Sequence, residues 1–157
     1  MNCEGFIEAI DYGEMPGKPG IDFLITQLLG PSLQTVLTLC ESKFSLHCAC
    51  LVTMQMLNVM ESMHNKGYIH RDLKPDNYMF GLRHETQKLF LIDYGLVKRI
   101  LNPKNGRHIP FETNKQMCGT LRYCSSNIHR GHELSRRDDI ESILYLLIYS
   151  LKGKLPW

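Results

Sequence analysis

The chain has 157 residues, of which 43% are hydrophobic and 22% are charged, and its net charge is only +2. This composition excludes a disordered, collagen-like or low-complexity protein and is typical of one compact domain with its own core. The longest apolar run, residues 143–149, is far shorter than the roughly 20 residues that a transmembrane helix needs. We therefore expect no membrane span.

The N-terminal residues indicate an intracellular protein, and the cysteine spacing indicates free thiols. Residues 1–11 include Glu4, Glu8 and Asp11 and lack the basic and apolar regions of a signal peptide. The six cysteines contain no C-x-x-C pair, which argues against a zinc module or a disulfide framework, so we expect buried free thiols. The expected location is the cytoplasm, the nucleus or both.

Charge is distributed unevenly along the chain. Residues 1–30 contain five acidic side chains and one lysine, whereas residues 96–137 contain nine basic and two acidic side chains, a net charge of +7. A basic segment of this kind is either a solvated surface or the binding site of an acidic or phosphorylated partner. The charge pattern alone leaves both interpretations open.

The first elements in chain order are a predicted β-hairpin and a short helix. Alternating apolar residues predict a strand at 21–26, and the Gly- and Pro-rich residues 13–20 form a turn that joins it to an earlier strand near 6–10. Apolar residues spaced three and four apart then predict an amphipathic helix over residues 33–40. The chain thus changes from β to helical structure after residues 30–31.

A longer amphipathic helix follows. Ser45 is suited to its N-cap, and Gly67 lies just beyond its predicted end. Met56, Met60 and Met63 recur at spacings of four and three, so they share one face of this helix. We expect these methionines to lie in the hydrophobic core.

The second half of the chain combines a second hairpin, a long irregular segment and a buried helix. Short apolar runs at 78–82 and 88–92 predict the two strands of the hairpin. Residues 94–137 show little periodicity and predict a loop longer than the usual limit of about 12 to 15 residues, which in a compact domain is typical of functional segments. Residues 140–151 are apolar on nearly all sides, which predicts a buried helix.

Two short motifs carry residues suited to phosphoryl transfer. Residues 70–77 read His-Arg-Asp-Leu-Lys-Pro-Asp-Asn, which places Asp72, Lys74 and Asn77 between a helix and a strand, and Asp93 follows the next predicted strand. Phosphoryl transfer requires an acceptor for the hydroxyl proton, a positive charge beside the phosphoryl group and oxygen ligands for Mg²⁺. Asp72, Lys74 and Asn77 can supply one each, with Asp93 sharing the metal.

These two motifs, in this order, are the signature of protein kinases, and the chain resembles the eukaryotic protein kinases from about residue 5 to residue 157. Within them it is most similar to the casein kinase I family of serine/threonine kinases. The segments that carry this second resemblance are 28–33 (Leu-Leu-Gly-Pro-Ser-Leu), 70–77, 108–111 (His-Ile-Pro-Phe), 119–123 (Gly-Thr-Leu-Arg-Tyr) and 135–142 (Ser-Arg-Arg-Asp-Asp-Ile-Glu-Ser).

The resemblance implies a partial protein kinase domain of the α+β class. Residues 1–26 would form the end of the small lobe, 27–31 the hinge and 32–157 an incomplete, mainly helical large lobe. The implied function is the transfer of the γ-phosphoryl group of ATP, with Mg²⁺, to serine or threonine in acidic or phospho-primed protein substrates. We expect a monomer with protein substrates as its partners and no nucleic-acid partner.

The resemblance also implies a role for each catalytic residue. Asp72 would orient and deprotonate the substrate hydroxyl, and Lys74 would neutralise the moving γ-phosphoryl group. Asn77 and Asp93 would hold Mg²⁺. Arg122 would bind an acidic or phosphorylated residue of the substrate, because an arginine can hold a phosphate with two hydrogen bonds.

Other residues are implied to bind the nucleotide or to support the site. Gln27 and Leu29 of the hinge would contact ATP, with the backbone of Leu29 against the adenine, and Met79 would form the floor of the pocket. The residues with an implied structural role are His70, Thr120 and Asp139.

Several features depart from the resemblance. The 157 residues contain no Gly-rich loop and no small-lobe lysine with its glutamate partner, and the later large-lobe helices are absent, so we expect a chain truncated at both ends. Thr35 stands where an aspartate that contacts the ribose is usual, and Tyr94 replaces the usual phenylalanine of the metal motif. Two functions stay open: an active serine/threonine kinase, and a catalytically inactive kinase-derived fragment that acts as a binding module.

Overall fold

The structure, a computed structural model, describes residues 5–157 and has a mixed α+β fold, as predicted. The strands are β1 (Ala9–Glu14), β2 (Asp22–Thr26), β3 (Tyr68–Ile69), β4 (Tyr78–Phe80), β5 (Leu89–Leu91) and β6 (Lys98–Arg99). The helices are α1 (Leu33–Leu39), α2 (Leu46–Asn65), α3 (Ser126–His129) and α4 (Arg136–Lys152). Short 3-10 turns lie at Pro75–Asn77, Arg83–Glu85 and Leu121–Tyr123.

The strands form separate antiparallel pairs, β1 with β2, β3 with β6, and β4 with β5. The opening hairpin is confirmed, but its first strand begins at Ala9 and not near Phe6. Phe6 instead forms an isolated parallel bridge with Leu91, and the Gly5 carbonyl accepts a hydrogen bond from the Leu91 amide at 2.8 Å. The strand starts later than predicted because these contacts join residues 5–6 to β5.

Both predicted amphipathic helices form where expected. Ser45 is the N-cap of α2, and its side chain accepts a hydrogen bond from a backbone amide of the first turn. The helix ends two residues before Gly67, which has a left-handed φ of 81° that suits a glycine after a helix end. Met56, Met60 and Met63 are buried, which confirms the predicted core face.

The main hydrophobic core lies between α2, α4 and the hairpin of β4 and β5. Helix α2 packs against both α4 and β5. The hairpin itself is confirmed, with shorter strands than predicted. Members of this core with almost no exposed surface include Leu37, Met60, Tyr78, Leu91 and Ile143. The core therefore fixes the positions of the segments that follow β3 and β5.

Helix α4 is only partly buried, so the prediction of a helix buried on nearly all sides is wrong. Ile143 and Leu146 face the core, whereas Leu144 is 50% exposed and Ile148 is 43% exposed. The buried face includes Asp139 at its N-terminal end, because this end packs on the loop after β3. Within residues 5–157, no helix is both long and apolar enough to cross a membrane.

The segment 94–137, predicted as a long loop, contains short elements that periodicity does not reveal. It includes strand β6, an isolated bridge between Leu101 and His108, and the one-turn helix α3. The Ile100 amide donates a hydrogen bond of 2.8 Å to the Gly67 carbonyl. A second small core lies beneath the segment and consists of Ile69, Ile100, Cys124, Ile128 and Leu134.

The expectation of buried cysteines is wrong for most of them. Cys40 and Cys50 are exposed, Cys48 and Cys118 are half-buried, and Cys124 is buried. All five are free thiols, as predicted, and Cys3 lies outside the described residues.

Candidate active site

The loop after strand β3 is fixed by a buried carboxylate from helix α4. Asp139, which is 2% exposed, accepts hydrogen bonds from the backbone amides of His70 at 2.9 Å and Arg71 at 3.0 Å. Arg71 has a left-handed φ of 72°, so the chain turns sharply just before Asp72. The N-terminal end of α4 thereby determines where the Asp72 side chain lies.

Helix α2 contributes to this support a residue, His64, that no sequence motif predicts. The His64 Nε2 atom lies 2.8 Å from Asp139 Oδ2, and both side chains are buried. His64 follows Met60 by one turn on the buried face of α2, and a polar residue at such a position is the signal in the sequence. Asp139 therefore joins α2, α4 and the loop after β3.

His70 supports the loop from within the core. Its side chain has no exposed surface, and its Nδ1 atom accepts a hydrogen bond from the Asp72 amide at 3.3 Å. Burial lowers the pKa of His70, against the opposing effect of the charges on Asp139 and Asp72. The imidazole is therefore neutral, and it contacts the protein backbone rather than solvent.

The Asp72 carboxylate accepts hydrogen bonds from three side chains, of which the longest is from Asn77 Nδ2 at 3.4 Å. Lys74 Nζ lies 2.9 Å from Asp72 Oδ2, and the Thr120 hydroxyl donates to Asp72 Oδ1 at 2.6 Å. Burial raises the pKa of Asp72, but the hydrogen bonds from Thr120 and Lys74 outweigh it, so the net shift is downward. The group is a carboxylate at neutral pH with a fixed orientation, which suits a general base.

Lys74 is kept protonated by its acidic neighbours. The hydrogen bond to Asp72 raises the pKa of Lys74, and the charge of Asp93 acts in the same direction. Its side chain is 25% exposed. A permanent positive charge therefore lies beside Asp72 and is accessible to a phosphate group.

Asn77 and Asp93 lie at the same end of the β4–β5 hairpin. Asn77 directly precedes β4, Asp93 lies two residues after the end of β5, and the Ile92 amide donates to the Asn77 carbonyl at 2.8 Å. The Asn77 side-chain amide donates to the Asp72 carbonyl at 2.9 Å, so its Oδ1 is the end available to a cation. Asp93 has a left-handed φ of 61°, and its Oδ1 accepts from the Gly95 amide at 3.2 Å.

These two side chains fit a Mg²⁺ site that is completed by a substrate. Mg²⁺ in proteins is usually bound through one or two carboxylates together with water and substrate phosphates, rather than by a complete protein cage. Asn77 offers an amide oxygen and Asp93 an exposed carboxylate. Among residues 5–157 there is no group of three His, Cys, Asp or Glu side chains that could hold a metal without such help.

The segment 27–31 and the following Ser32 lie beside strand β4, which contains Met79. The Gly30 amide donates to the Phe80 carbonyl at 2.8 Å, and Ser32 forms an isolated bridge with Met79. Leu29 and Met79 are half-buried. The Gln27 amide donates to the Glu8 carbonyl at 3.2 Å, which connects this segment to the opening hairpin.

Gly119 also shapes the site, although the sequence predicts no role for it beyond its place in the motif at 119–123. It has a φ of 83°, and a Cβ atom added here would lie 2.4 Å from the Arg71 carbonyl oxygen. Only glycine permits so close an approach of two backbones. This approach brings Thr120, the next residue, within reach of Asp72.

The basic segment provides the exposed Arg122 and two lysines that are already ion-paired. Arg122 lies two residues after Thr120, its side chain is exposed, and its carbonyl accepts from the Trp157 indole at 3.0 Å. Lys98 and Lys115 both contact the Glu133 carboxylate. Part of the local positive charge is therefore neutralised within the protein.

The family model of the protein kinase domain matches residues 19–157, a range that contains every side chain of this site. The chain belongs to the protein kinase domain family. Its activity class is accordingly that of a protein kinase, a transferase that phosphorylates protein substrates, and kinases of this family generally use ATP and Mg²⁺. Asp72, Lys74, Asn77 and Asp93 all lie within the matched residues.

Proposed function

We propose that the chain is a serine/threonine kinase of the casein kinase I type, which transfers the γ-phosphoryl group of Mg·ATP to serine or threonine in acidic or phospho-primed proteins. The observation that carries this proposal is the Asp72 carboxylate held between Lys74 and Thr120. Asn77 and Asp93 lie at the adjoining end of the β4–β5 hairpin.

In the proposed reaction, Asp72 acts on the substrate hydroxyl. The hydroxyl oxygen forms a bond to the γ-phosphorus, the bond from that phosphorus to the β–γ bridging oxygen breaks, and the hydroxyl proton passes to the Asp72 carboxylate. Lys74 remains positive throughout and offsets charge on the moving phosphoryl group. Mg²⁺ bound by Asn77 and Asp93 would supply further electrostatic stabilisation of the phosphate oxygens.

The proposed nucleotide site uses segment 27–31 and Met79. The Leu29 backbone would meet the adenine, Gln27 would line the same pocket, and the Met79 side chain would form its floor. Support for this comes from the hydrogen bond between Gly30 and Phe80, which keeps the segment beside β4. In terms of domains, residues 1–26 would be the end of a small lobe, 27–31 a hinge and 32–157 a large lobe.

Arg122 is the residue proposed to bind the acidic or phosphorylated side chain of the substrate. Its side chain is exposed and lies two residues from Thr120, which contacts Asp72. Lys98 and Lys115 are poorer candidates, because each is ion-paired to Glu133. A guanidinium can bind a phosphate with two parallel hydrogen bonds, which favours arginine for this role.

The second candidate is a binding module without catalysis, and one observation favours it. The hairpin of β1 and β2 exposes large apolar side chains, with Ile10 63%, Tyr12 79% and Leu24 58% exposed. Such a surface is suited to contact with another protein surface.

The transfer of labelled phosphate from Mg·ATP to an acidic, phospho-primed serine peptide distinguishes the two functions. We expect the folded chain to transfer phosphate and Asp72→Asn to lose at least about 100-fold in rate, because it lacks the general base. Circular dichroism of both proteins shows that the variant is folded. No transfer by the folded wild-type chain would favour the binding module.

A further inference from the structure

Glu133 is a buried carboxylate with one lysine on each oxygen. Its side chain is 7% exposed, Lys98 Nζ lies 2.6 Å from Oε1, and Lys115 Nζ lies 3.2 Å from Oε2. Burial raises the pKa of Glu133, but the two lysines outweigh it and lower the pKa overall. Glu133 is therefore ionised, and its ion pairs are shielded from solvent more than surface pairs are.

The two lysines belong to different parts of the chain. Lys98 lies in β6, which pairs with β3 immediately before residues 70–77, the catalytic loop. Lys115 lies in the segment 112–120, which ends with Gly119 and Thr120. The Glu133 carboxylate thus connects the strand beside the catalytic loop to the segment that contacts Asp72.

Backbone hydrogen bonds reinforce this connection. The Glu133 amide donates to the Glu112 carbonyl at 2.8 Å, and the Lys115 amide donates to the Gly131 carbonyl at 2.9 Å. The segment 112–120 is consequently held at two places, at Glu133 near its start and at Asp72 near its end. Residues between these two places make no regular secondary structure.

A third cation lines the same cavity as this carboxylate. Arg71 lines the cavity of about 190 Å³ that Lys98, Lys115 and Glu133 also line, and its Nε donates to the Leu96 carbonyl at 2.6 Å. The catalytic loop, β6 and the segment 112–120 thus each bring one positive charge to this cavity. These charges repel one another unless an anion lies among them.

We infer that Glu133 is a positioning residue that serves as the built-in counter-anion for these three cations. It holds the segment 112–120 against the catalytic loop without covalent modification of that segment. The consequence for substrate binding rests on the proposed kinase function, whereas the attachment of the segment rests on the contacts alone. Because this carboxylate is part of the chain, the segment 112–120 is held against the catalytic loop even without substrate. We call this arrangement the substrate-ready position.

The kinetic expectation for Glu133→Gln follows from a shift in population. Without the carboxylate charge the segment leaves its substrate-ready position part of the time, so the apparent KM for peptide rises by the reciprocal of the ready fraction. Saturating peptide restores the ready state. We expect KM to rise about tenfold while kcat stays within about twofold. A fall in kcat at unchanged KM would overturn the inference, because lower stability alone produces that result.

Tryptic cleavage after Lys115 provides a second readout that does not require catalysis. Trypsin cleaves after Lys115 only in molecules whose segment 112–120 has left the catalytic loop. We therefore expect the initial cleavage rate to be about tenfold higher in Glu133→Gln than in the wild-type chain. The matched control is Glu112→Gln, since Glu112 also contacts Lys115 but is 52% exposed. The control should stay within about twofold in both measurements.

The two readouts separate the failure of this inference from the failure of the proposed function. If the wild-type chain transfers no phosphate but cleavage still rises only in Glu133→Gln, the proposed function fails and the positioning role stands. If cleavage is equal in both variants, the inference is overturned whatever the activity. If Glu133→Gln does not fold, Glu133→Asp is compared with Glu112→Asp, and an increase in cleavage of about threefold is expected for the shorter carboxylate.

Discussion

The Thr120 hydroxyl donates a hydrogen bond of 2.6 Å to Asp72 Oδ1 across 48 residues of the chain. The bond joins the end of the basic segment to the loop after β3. It is possible because Gly119 brings its backbone against the Arg71 carbonyl. The segment proposed to bind substrate and the proposed general base are therefore placed by the same contact.

Removal of the Thr120 hydroxyl should change the pH dependence of phosphoryl transfer. Burial raises the pKa of Asp72, and the hydrogen bonds from Thr120 and Lys74 reverse this shift, so Thr120→Ala raises the pKa. Because the carboxylate is the reactive form, the acid limb of the kcat/KM profile should move to higher pH. A hydrogen bond to a charged group contributes roughly 1.5 kcal/mol or more, which predicts a loss of about tenfold in rate.

Thr120→Ser is the control for this experiment, since it retains the hydroxyl. Its pH profile should match that of the wild-type chain. If the acid limb lies at the same pH in Thr120→Ala and Thr120→Ser, the hydrogen bond from Thr120 does not lower the pKa of Asp72.

Arg122→Ala should impair the use of phospho-primed peptides more than that of unprimed ones. The variant loses a guanidinium able to bind a phosphate with two hydrogen bonds, so kcat/KM for a primed peptide should fall about tenfold. The value for an unprimed peptide should fall no more than about twofold. Arg130→Ala, which removes another exposed arginine of the same basic segment, is the control. Equal losses for both peptides would remove Arg122 from substrate selection.

Gly119→Ala should destabilise the protein and reduce its activity. A Cβ at this position meets the Arg71 carbonyl oxygen, in addition to the cost of a left-handed φ, so the free energy of unfolding should fall by about 3 kcal/mol. Gly106 also has a positive φ, but nothing lies within 4 Å of an added Cβ. Gly106→Ala should therefore cost only about 1 kcal/mol in urea denaturation. Similar losses at the two positions would contradict the close approach at Gly119.

Tyr78→Phe should stabilise the protein. The Tyr78 hydroxyl is buried and has no hydrogen-bond partner among residues 5–157, so its removal should raise the free energy of unfolding by about 1 kcal/mol. Tyr94→Phe is a control of opposite sign, because the Tyr94 hydroxyl donates to the Leu91 carbonyl at 2.7 Å. It should destabilise by about 1 kcal/mol. Urea denaturation of both variants checks the prediction, which fails if Tyr78→Phe is also destabilising.

The sequence predicts the parts of the fold that depend on local pattern. Helix α2 follows from its N-cap, its methionine spacing and Gly67, and the two hairpins follow from short apolar runs between turns. Asp72, Lys74 and Asn77 come together because they lie within one short loop. Local spacing is sufficient for such features.

Contacts between distant segments could not be predicted in the same way. The start of β1 depends on Leu91, which pairs with residues 5–6, and the exposure of Leu144 on α4 depends on what covers that face. The links from His64 to Asp139 and from Thr120 to Asp72 span long stretches of chain. The residues around His64 and Thr120 in the sequence do not indicate that their partners are Asp139 and Asp72.

The most direct test of the proposed kinase function is the dependence of phosphoryl transfer on Mg²⁺ in Asp93→Asn and Asp76→Asn. Asp76 is an exposed carboxylate of the same region, so it serves as the matched control. The measurement is the rate of transfer of labelled γ-phosphate to a serine peptide as Mg²⁺ is increased. We expect Mg²⁺-dependent transfer by the wild-type chain, a loss of at least about 100-fold in Asp93→Asn and a change within twofold in Asp76→Asn. Wild-type rates in Asp93→Asn, or no transfer by any folded chain, would contradict the proposed function.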